Sequence, residues 1–368
     1  MKVAIVCDWL TGIGGAERVV YELHKLYPEA PIYTSQYDPK SIDWFEEADI
    51  RTTWLQKLPK SLKKFLPVLR AYAFSRLDLS EYDLVLSSSG AESKGVKTAP
   101  GALHICYCHS PTHYYWTRKD EYMESPGFPY GLNWLAKISL KILLGPLKRW
   151  DRRAAKRPDY LIANSTFTKE NIAKYYKRES TVIFPPVETD RFKYKKSDEP
   201  RHGFVVAGRQ TPYKRFDLAI EAANEMKVPL VVIGDGPDHR RLEKMAERNV
   251  TFLTQVNDFD IVNHFQTAIA FIMPNVDDFG IVAVEALSSG TPVVAYFKGG
   301  SQDYLENNRN GFFFDRQTKK SLIDALEKAS AKTWNYNSVS QSAERFSTEK
   351  FRSHLKNFIN SKIKDLGA

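Results

Sequence analysis

Short apolar runs alternate with amphipathic segments along the first half of the chain. The apolar runs predict β-strands at residues 2–7, 31–35, 82–88, 103–108 and 160–164. The amphipathic segments predict helices at residues 16–26 and 166–176, and Ser165 stands where it can cap the second helix. Strands that alternate with helices are typical of a parallel sheet that is covered by helices on both faces.

The same alternation restarts after Pro185 and Pro186, which suit a stiff connection because proline fixes φ. This second part predicts strands at residues 203–207, 230–233, 268–273 and 292–296. It predicts helices at residues 216–226, 239–248 and 281–288. A length of 368 residues also fits two domains better than one core. The pattern therefore predicts domains at 1–186 and 187–347, followed by an amphipathic helix at 348–368.

The composition is that of a globular protein, with 43% hydrophobic and 26% charged residues. The first apolar run stops at Asp8, so it predicts a β-strand rather than a signal peptide. No stretch of the sequence approaches the roughly 20 apolar residues that a membrane span needs. These features together predict a cytoplasmic protein.

Three cysteines, Cys7, Cys106 and Cys108, form too sparse a set for a disulfide framework. Cys106 and Cys108 would point to one face of a strand that ends beside His109, which raises the possibility of a metal site. A structural zinc site needs four ligands, usually in paired clusters. We therefore expect buried thiols and no metal.

The positive charge of the chain is concentrated in two segments. The net charge is +9, yet residues 55–79 contain six basic residues and one acidic residue, and residues 137–157 contain eight and one. The first segment has helical apolar spacing, and in the second Lys137, Lys141, Lys148 and Arg152 would align along one helix face. Both helices are interrupted by prolines, namely Pro59, Pro67 and Pro146. They are either ordinary helices with solvated cations or a surface that adheres to anionic lipid. We favour the membrane surface, at the inner face of the cell membrane.

The most informative chemistry lies between residues 204 and 285. Arg209 and Lys214 follow a predicted strand, and Asp277 and Glu285 flank the start of a predicted helix. The amides of Gly280, Ile281 and Val282 would be exposed at that helix start, where unpaired N–H groups and the helix dipole favour an anion. Two cations, two carboxylates and a helix start predict a site for a sugar joined to a diphosphate. The alternative to a binding site is that these charged side chains are simply solvated on the surface.

These motifs resemble those of the retaining glycosyltransferases of family 4, whose pattern is Arg-x4-Lys followed by Glu-x7-Glu around Phe-Gly-Ile. The spacing holds here, with Phe279 inside the second motif and Asp277 in place of the first Glu. Further segments look like the subgroup of bacterial O-antigen mannosyltransferases, namely Asp8-Trp-Leu, Gly14-Gly-Ala-Glu17, Tyr107-Cys-His-Ser-Pro111, Ala163-Asn-Ser165 and Pro185-Pro-Val-Glu-Thr-Asp-Arg-Phe192.

The resemblance implies the GT-B fold, an α/β fold of two Rossmann-like domains facing across a cleft, with the C-terminal helix crossing back to the first domain. The first domain would bind the acceptor and the second the nucleotide-sugar donor. Arg209 and Lys214 would stabilise the leaving diphosphate, Glu285 would bind the ribose, and Asp277 would bind the donor sugar.

By the same resemblance His109, Gly14 and Gly15 would approach the donor sugar or its diphosphate, as would the loop of Gly299 and Gly300. The donor would be GDP-mannose and the acceptor a lipid-linked glycan of cell-surface polysaccharide synthesis. No metal or other cofactor is required, since the cations and the helix start supply the positive charge.

Two other classes remain open from the sequence. A sugar-nucleotide epimerase could share this fold and these site types, but it would release free nucleotide and free sugar without an acceptor. A basic nucleic-acid-binding protein is the second alternative, prompted by the pI of about 9.1. No recognisable nucleic-acid-binding motif or aromatic-basic patch supports it, and we expect no nucleic-acid partner.

Overall fold

The computed structural model describes residues 1–59, 66–124, 133–196 and 199–367. The chain divides into two compact units. The first unit comprises Met1–Pro186 together with Phe351–Ala368, and the second comprises Val187–Lys350. Each unit is built around its own parallel β-sheet.

The described strands of the first unit form one sheet of seven. They are β1 (Val3–Cys7), β2 (Ile32–Thr34), β3 (Ile50–Thr52), β4 (Leu84–Ser89), β5 (Leu103–Cys108), β6 (Tyr160–Ala163) and β7 (Thr181–Val182). The strand order is β3-β2-β1-β4-β5-β6-β7, and all neighbours are parallel. β4 and β5 are buried along their whole length, because helices cover both faces of the sheet.

Five helices lie in the described part of this unit before the chain crosses over. They are α1 (Gly15–Leu26), α2 (Pro67–Ser75), α3 (Lys119–Glu124), α4 (Asn133–Ala154) and α5 (Thr166–Tyr176). Ser165 caps α5, since its hydroxyl accepts the amide of Thr168 at 2.9 Å, as the sequence predicts.

The described strands of the second unit form a six-stranded sheet with all neighbours parallel. They are β8 (Phe204–Ala207), β9 (Leu230–Ile233), β10 (Val250–Leu253), β11 (Ala270–Met273), β12 (Val293–Tyr296) and β13 (Gly311–Phe314). Their order is β10-β9-β8-β11-β12-β13. The helices described for this unit are α6 (Phe216–Met226), α7 (His239–Met245), α8 (Asp258–Thr267), α9 (Ile281–Ser288), α10 (Lys319–Ala331) and α11 (Tyr336–Gln341).

The last helix, α12 (Thr348–Gly367), begins in the second unit and continues into the first. Its residues Phe351, Leu355 and Ile359 are buried in the core of the first unit. The ring of Phe351 packs edge-on against Tyr107 of β5, with 5.8 Å between the ring centroids. The predicted GT-B architecture of two Rossmann-like units with a C-terminal helix that returns to the first is therefore observed.

Two helices differ from their predictions. α7 ends at Met245 rather than at residue 248, because Ala246 adopts extended backbone. α4 continues through Pro146, where the sequence predicts an interruption. Leu147 is buried directly after this proline, and Asp151 anchors the following turn. Packing thus outweighs the backbone hydrogen bond that proline removes.

Asp151 joins α4 to the body of the first unit through four contacts. One carboxylate oxygen lies 2.7 Å from Nζ of Lys94 and accepts the Thr112 hydroxyl at 3.0 Å. The other accepts Nε1 of Trp116 at 2.7 Å and the Tyr176 hydroxyl at 2.8 Å. Burial alone would lower the pKa of Lys94, but the attraction of Asp151 raises it above its ordinary value. Lys94 is therefore a buried, charged ammonium.

We expect Asp151→Ala to destabilise the protein by about 3–5 kcal/mol, because it leaves the buried ammonium of Lys94 unpaired. Urea unfolding at neutral pH measures this change. Asp365→Ala is the matched control, since it removes an ion pair to Lys362 on an exposed helix surface. It should change the unfolding free energy far less. Equal effects of the two substitutions would show that the Lys94–Asp151 pair does not anchor α4.

Candidate active site

The loop after β8 carries Arg209 and is fixed against the loop after β9. The amide of Gly208 donates to the carbonyl of Ile233 at 3.0 Å, and Nε2 of Gln210 donates to the carbonyl of Gly234 at 2.6 Å. Gln210 is fully buried, whereas Arg209 between these fixed residues is exposed. Arg209 is therefore exposed in a loop at the carboxyl edge of the sheet, where the sequence predicts it, and its contact with a diphosphate stays a prediction.

Lys214 lies at the end of a short 3-10 turn, Pro212–Lys214, between β8 and α6. Its Nζ lies 2.5 Å from Oδ2 of Asp277, which follows β11. Both side chains retain some exposure, 20% for Lys214 and 17% for Asp277. The sequence places these two residues in one site, and the structure joins them directly as an ion pair.

The start of α9 has no side-chain cap, and its first residues are partly exposed. Gly280 is its N-cap residue with a φ of +92°, and no side chain caps this helix start. A Cβ at position 280 would lie 2.8 Å from the Tyr304 hydroxyl, so glycine is required for both its backbone and its size. The amides of Ile281 and Val282 belong to the first turn, where N–H groups lack helical partners and favour an anion.

Glu285 lies one turn further along α9 and is only 6% exposed. The side chain of Phe279 is also buried, and its ring packs 5.5 Å from the rings of Tyr304 and Phe346. The resemblance puts Phe279 among the donor-binding residues, and its ring packs in the core of the second unit. A contact of Phe279 with the donor stays a prediction.

The loop after β12 packs on the backbone of the Asp277 loop. The amide of Gly300 donates to the carbonyl of Asp277 at 2.9 Å. A Cβ at position 300 would lie 2.3 Å from the carbonyl oxygen of Asp278, so a larger residue would push the two loops apart. Gly299 and Gly300 thus hold the segment that carries Asp277. Their predicted contact with the donor stays a prediction.

In the first unit, Asp8 follows β1 and ties it to the loop after β4. Its carboxylate accepts the amides of Gly90 and Ala91 at 2.7 and 2.9 Å and that of Ser93 at 2.7 Å. In the sequence, Asp8 is prominent only as part of a family motif. Its position directly after the first strand is the signal that could have revealed this organising role.

His109 follows β5 and lies at the edge of a cavity of about 220 Å³. Its Nε2 lies 2.7 Å from the Ser88 hydroxyl, and its ring lies 5.2 Å from that of Tyr107. The cavity is mainly apolar and aromatic with two carboxylates, and its polar and aromatic lining includes Asp8, Trp9, Glu17, His109, His113 and Tyr114. Aromatic faces with carboxylates suit a ligand that has both apolar and hydroxyl surfaces.

Gly14 and Gly15 begin α1 on the same side of the first unit, where the sequence predicts contact with a diphosphate. A Cβ at Gly14 would lie 2.8 Å from Oε2 of Glu17, so this carboxylate folds back over the helix start. The contact of Gly14 and Gly15 with a diphosphate stays a prediction.

The three cysteines are buried and unbonded to one another. Burial raises the pKa of Cys106 to about 11, which keeps its thiol protonated at neutral pH. Among the residues that the structure describes, no group of three or more His, Cys, Asp or Glu side chains is arranged to hold a metal ion. Within the same residues, no helix combines the length and apolar character needed to cross a membrane.

Comparison with known proteins finds similarity to curated glycosyltransferases. The GDP-mannose-dependent alpha-(1-6)-phosphatidylinositol monomannoside mannosyltransferase of Mycobacterium tuberculosis is 26% identical over an alignment of 207 residues, and the match covers 48% of this chain and 53% of that protein. The D-inositol 3-phosphate glycosyltransferase of Streptomyces avermitilis is 29% identical over an alignment of 187 residues, and the match covers 42% of this chain and 40% of that protein. The matched region thus spans about half the length of these relatives, or less.

A solved structure matches the fold over almost the whole chain. Alr3699/HepE from Anabaena, in complex with UDP and glucose, superposes with a TM-score of 0.70 at 17% identity. The match covers 98% of this chain and 100% of that one. It confirms the predicted GT-B fold.

Two family models also match adjoining parts of the chain. Residues 13–191 match the model described as Glycosyltransferase Family 4, and residues 186–346 match the model described as Glycosyl transferases group 1. The two matches meet where the first unit passes into the second and cover most of both. The chain is therefore a member of glycosyltransferase family 4.

Proposed function

We propose that this protein is a retaining glycosyltransferase that moves a hexose from a nucleoside diphosphate to a hydroxyl acceptor. The observation that carries the proposal is the arrangement in the second unit. Lys214, Asp277 and the uncapped start of α9 meet at the carboxyl edge of one sheet, where α/β folds bind ligands. Positive charge suits the diphosphate, and carboxylates suit the hydroxyl groups of a sugar and a ribose.

In the proposed reaction, the bond between the sugar and the diphosphate breaks as the acceptor hydroxyl forms a new glycosidic bond on the same face. The hydroxyl proton passes to an oxygen of the leaving phosphate. Arg209, Lys214 and the first amides of α9 stabilise the charge that grows on that phosphate. Asp277 accepts hydroxyl groups of the donor sugar, and Glu285 accepts those of the ribose.

The first unit would supply the acceptor side of the reaction. His109 and the cavity beside it are lined by groups that suit a sugar, and His109 would contact the transferred sugar or its phosphate. The proposed chemistry needs no metal, because two cations and a helix start already face the diphosphate. The protein would act in the cytoplasm on a lipid-linked glycan, as part of cell-surface polysaccharide synthesis.

The donor is proposed to be GDP-mannose. Support comes from the relatives, one of which is named a GDP-mannose-dependent mannosyltransferase, and from the motifs shared with O-antigen mannosyltransferases. A sugar-nucleotide epimerase remains the alternative, and requirement for an acceptor separates the two. Incubation with GDP-mannose, with and without a lipid-linked acceptor, tests this point by its product. An epimerase would release free sugar in both cases.

Lys214→Met should lower the rate of transfer by about 100-fold or more, because it removes a cation aimed at charge that develops in the transition state. The measurement is the rate of transfer at saturating donor. The same measurement in excess EDTA should give unchanged rates for the parent protein and for the variant. Lys227→Met is the control, since Lys227 forms an exposed ion pair with Glu247 in the same unit. If the Lys214 variant turned over at a rate close to that of the control, Lys214 would have no role in stabilising the leaving diphosphate.

Donor choice can be tested without an acceptor. A ligand at 100 times its dissociation constant stabilises a protein by about 2.7 kcal/mol, which raises the melting temperature measurably. We expect GDP and GDP-mannose to raise it more than UDP and UDP-glucose at equal concentration. A larger shift with the uridine compounds would contradict GDP-mannose as donor while leaving glycosyl transfer intact.

We also propose that the first unit binds an anionic membrane surface through the two basic segments. In residues 55–79, α2 exposes Val68, Leu69 and Tyr72 by 46, 38 and 53%. In residues 137–157, α4 exposes Ile142 and Leu143 by 69 and 39%. Exposed apolar side chains near cations are typical of helices that lie at a membrane interface.

The cations of these two segments differ in their surroundings. Lys57, Lys141 and Arg149 are exposed. Lys148 and Arg152, predicted to align along one helix face with Lys137 and Lys141, lie over the ring of Trp116 at 4.8 and 4.7 Å from its centroid. They are therefore held by the protein itself. Lys60, Lys63 and Lys64, like the side chain of Lys137, lie outside the described residues.

Reversing Lys57, Lys141 and Arg149 to Glu should sharply reduce co-sedimentation with vesicles that contain anionic lipid. Each cation contributes about 1 kcal/mol near such a surface, and the attraction is screened by salt. Reversing the exposed residues Lys244, Lys320 and Lys328 in the second unit makes the same change in net charge and should preserve binding. Equal loss in both variants would indicate that overall charge, rather than these segments, causes adhesion.

A further inference from the structure

The proposed diphosphate site contains a carboxylate beside its principal cation. Lys214 is paired with Asp277 at 2.5 Å, and Asp277 lies three residues before the N-cap Gly280 of α9. Cations and helix amides suit an anion, whereas a neighbouring carboxylate opposes one. In the absence of a ligand, the ion pair with Asp277 occupies the ammonium group that a diphosphate would use, so a diphosphate must compete with Asp277 for Lys214.

The two partners differ in their freedom to move. The Asp277 backbone is held by the hydrogen bond from Gly300 at 2.9 Å and by the close packing of the two loops. Its side chain has one methylene, so its carboxylate stays near this backbone. Lys214 has a flexible four-carbon stem, which lets the ammonium move while its own turn remains fixed. A ligand that takes the ammonium would therefore leave the carboxylate where it is.

We propose that the Lys214–Asp277 ion pair competes with the diphosphate and makes the site prefer an intact nucleotide sugar over a free nucleoside diphosphate. This inference rests on the proposed function of the site. A nucleotide sugar replaces both partners, because its diphosphate pairs with Lys214 and its sugar hydroxyls donate to Asp277. A free nucleoside diphosphate takes Lys214 but leaves Asp277 beside the phosphate charge without a new donor.

The consequence concerns the end of the reaction. Once the sugar has been transferred, Asp277 loses the hydroxyl donors while the ammonium is still shared with the diphosphate. Re-formation of the ion pair then favours release of the nucleoside diphosphate. Asp277 is thus both a sugar-binding residue and the group that weakens product binding.

The test is calorimetric titration of the protein with a nucleoside diphosphate and with the matching nucleotide sugar, using GDP with GDP-mannose and UDP with UDP-glucose. The variants are Asp277→Asn, Asp277→Glu, Lys214→Met and the double variant Asp277→Asn/Lys214→Met. Asp278→Asn is the matched control, because it removes an equal charge one residue along the same loop. Thermal melting of each variant checks that it is folded.

Asp277→Asn should bind the free nucleoside diphosphate about tenfold more tightly than the parent, because the ammonium is released and repulsion is removed. It should bind the nucleotide sugar no more tightly, since the hydroxyl acceptor is weakened as well. Asp277→Glu keeps the charge and should stay within about threefold of the parent. In the Lys214→Met background the gain from Asp277→Asn should shrink to the small gain that Asp278→Asn gives, because only the loss of repulsion remains there.

Several outcomes would overturn the inference. These are unchanged or weaker binding of the free nucleoside diphosphate by Asp277→Asn, equal gains for both ligands, and a gain that is undiminished in the Lys214→Met background. Failure of the proposed function looks different. In that case the parent protein would bind neither the nucleoside diphosphates nor the nucleotide sugars, and the inference would fall with it.

Discussion

The parallel direction of every described strand pair is the constraint on which the site depends. Parallel strands bring their carboxyl ends to one edge of a sheet, so the loops that follow them become neighbours. In the second unit the loop after β8 leads to Lys214, and the loop after β11 carries Asp277. These residues are 63 positions apart in the chain and form an ion pair. The chemistry of the site is therefore a product of sheet topology.

Close packing between loops then fixes the positions that the topology selects. The loop after β12 lies so near the Asp277 backbone that Gly300 admits no side chain, and Gly280 turns the chain into α9 with a backbone that favours glycine. In the first unit the Asp8 carboxylate fixes the loop after β4, because it accepts hydrogen bonds from three backbone amides of that loop. In both units, local contacts thus fix the candidate ligand-binding loops, and these contacts restrict which residues a few positions can accept.

Most of the fold was predictable from the sequence, and so was the position of the candidate site residues in loops after the strands. Apolar runs marked strands such as β5, and the spacing of Arg209, Lys214, Asp277 and Glu285 marked the chemistry. Pairings between distant residues were not predictable, because spacing carries no information on which side chains meet. The Lys214–Asp277 ion pair belongs to this class, and the continuation of α4 through a proline depended on packing that only the folded unit supplies.

The central claim is that the start of α9 and Lys214 together bind the diphosphate of a nucleotide sugar. A crystal structure with a nucleoside diphosphate bound tests it most directly. The account predicts phosphate oxygens within hydrogen-bonding distance of the first amides of α9, with the Lys214 ammonium turned from Asp277 toward them. A diphosphate bound away from α9, with the Lys214–Asp277 ion pair intact, would contradict the claim.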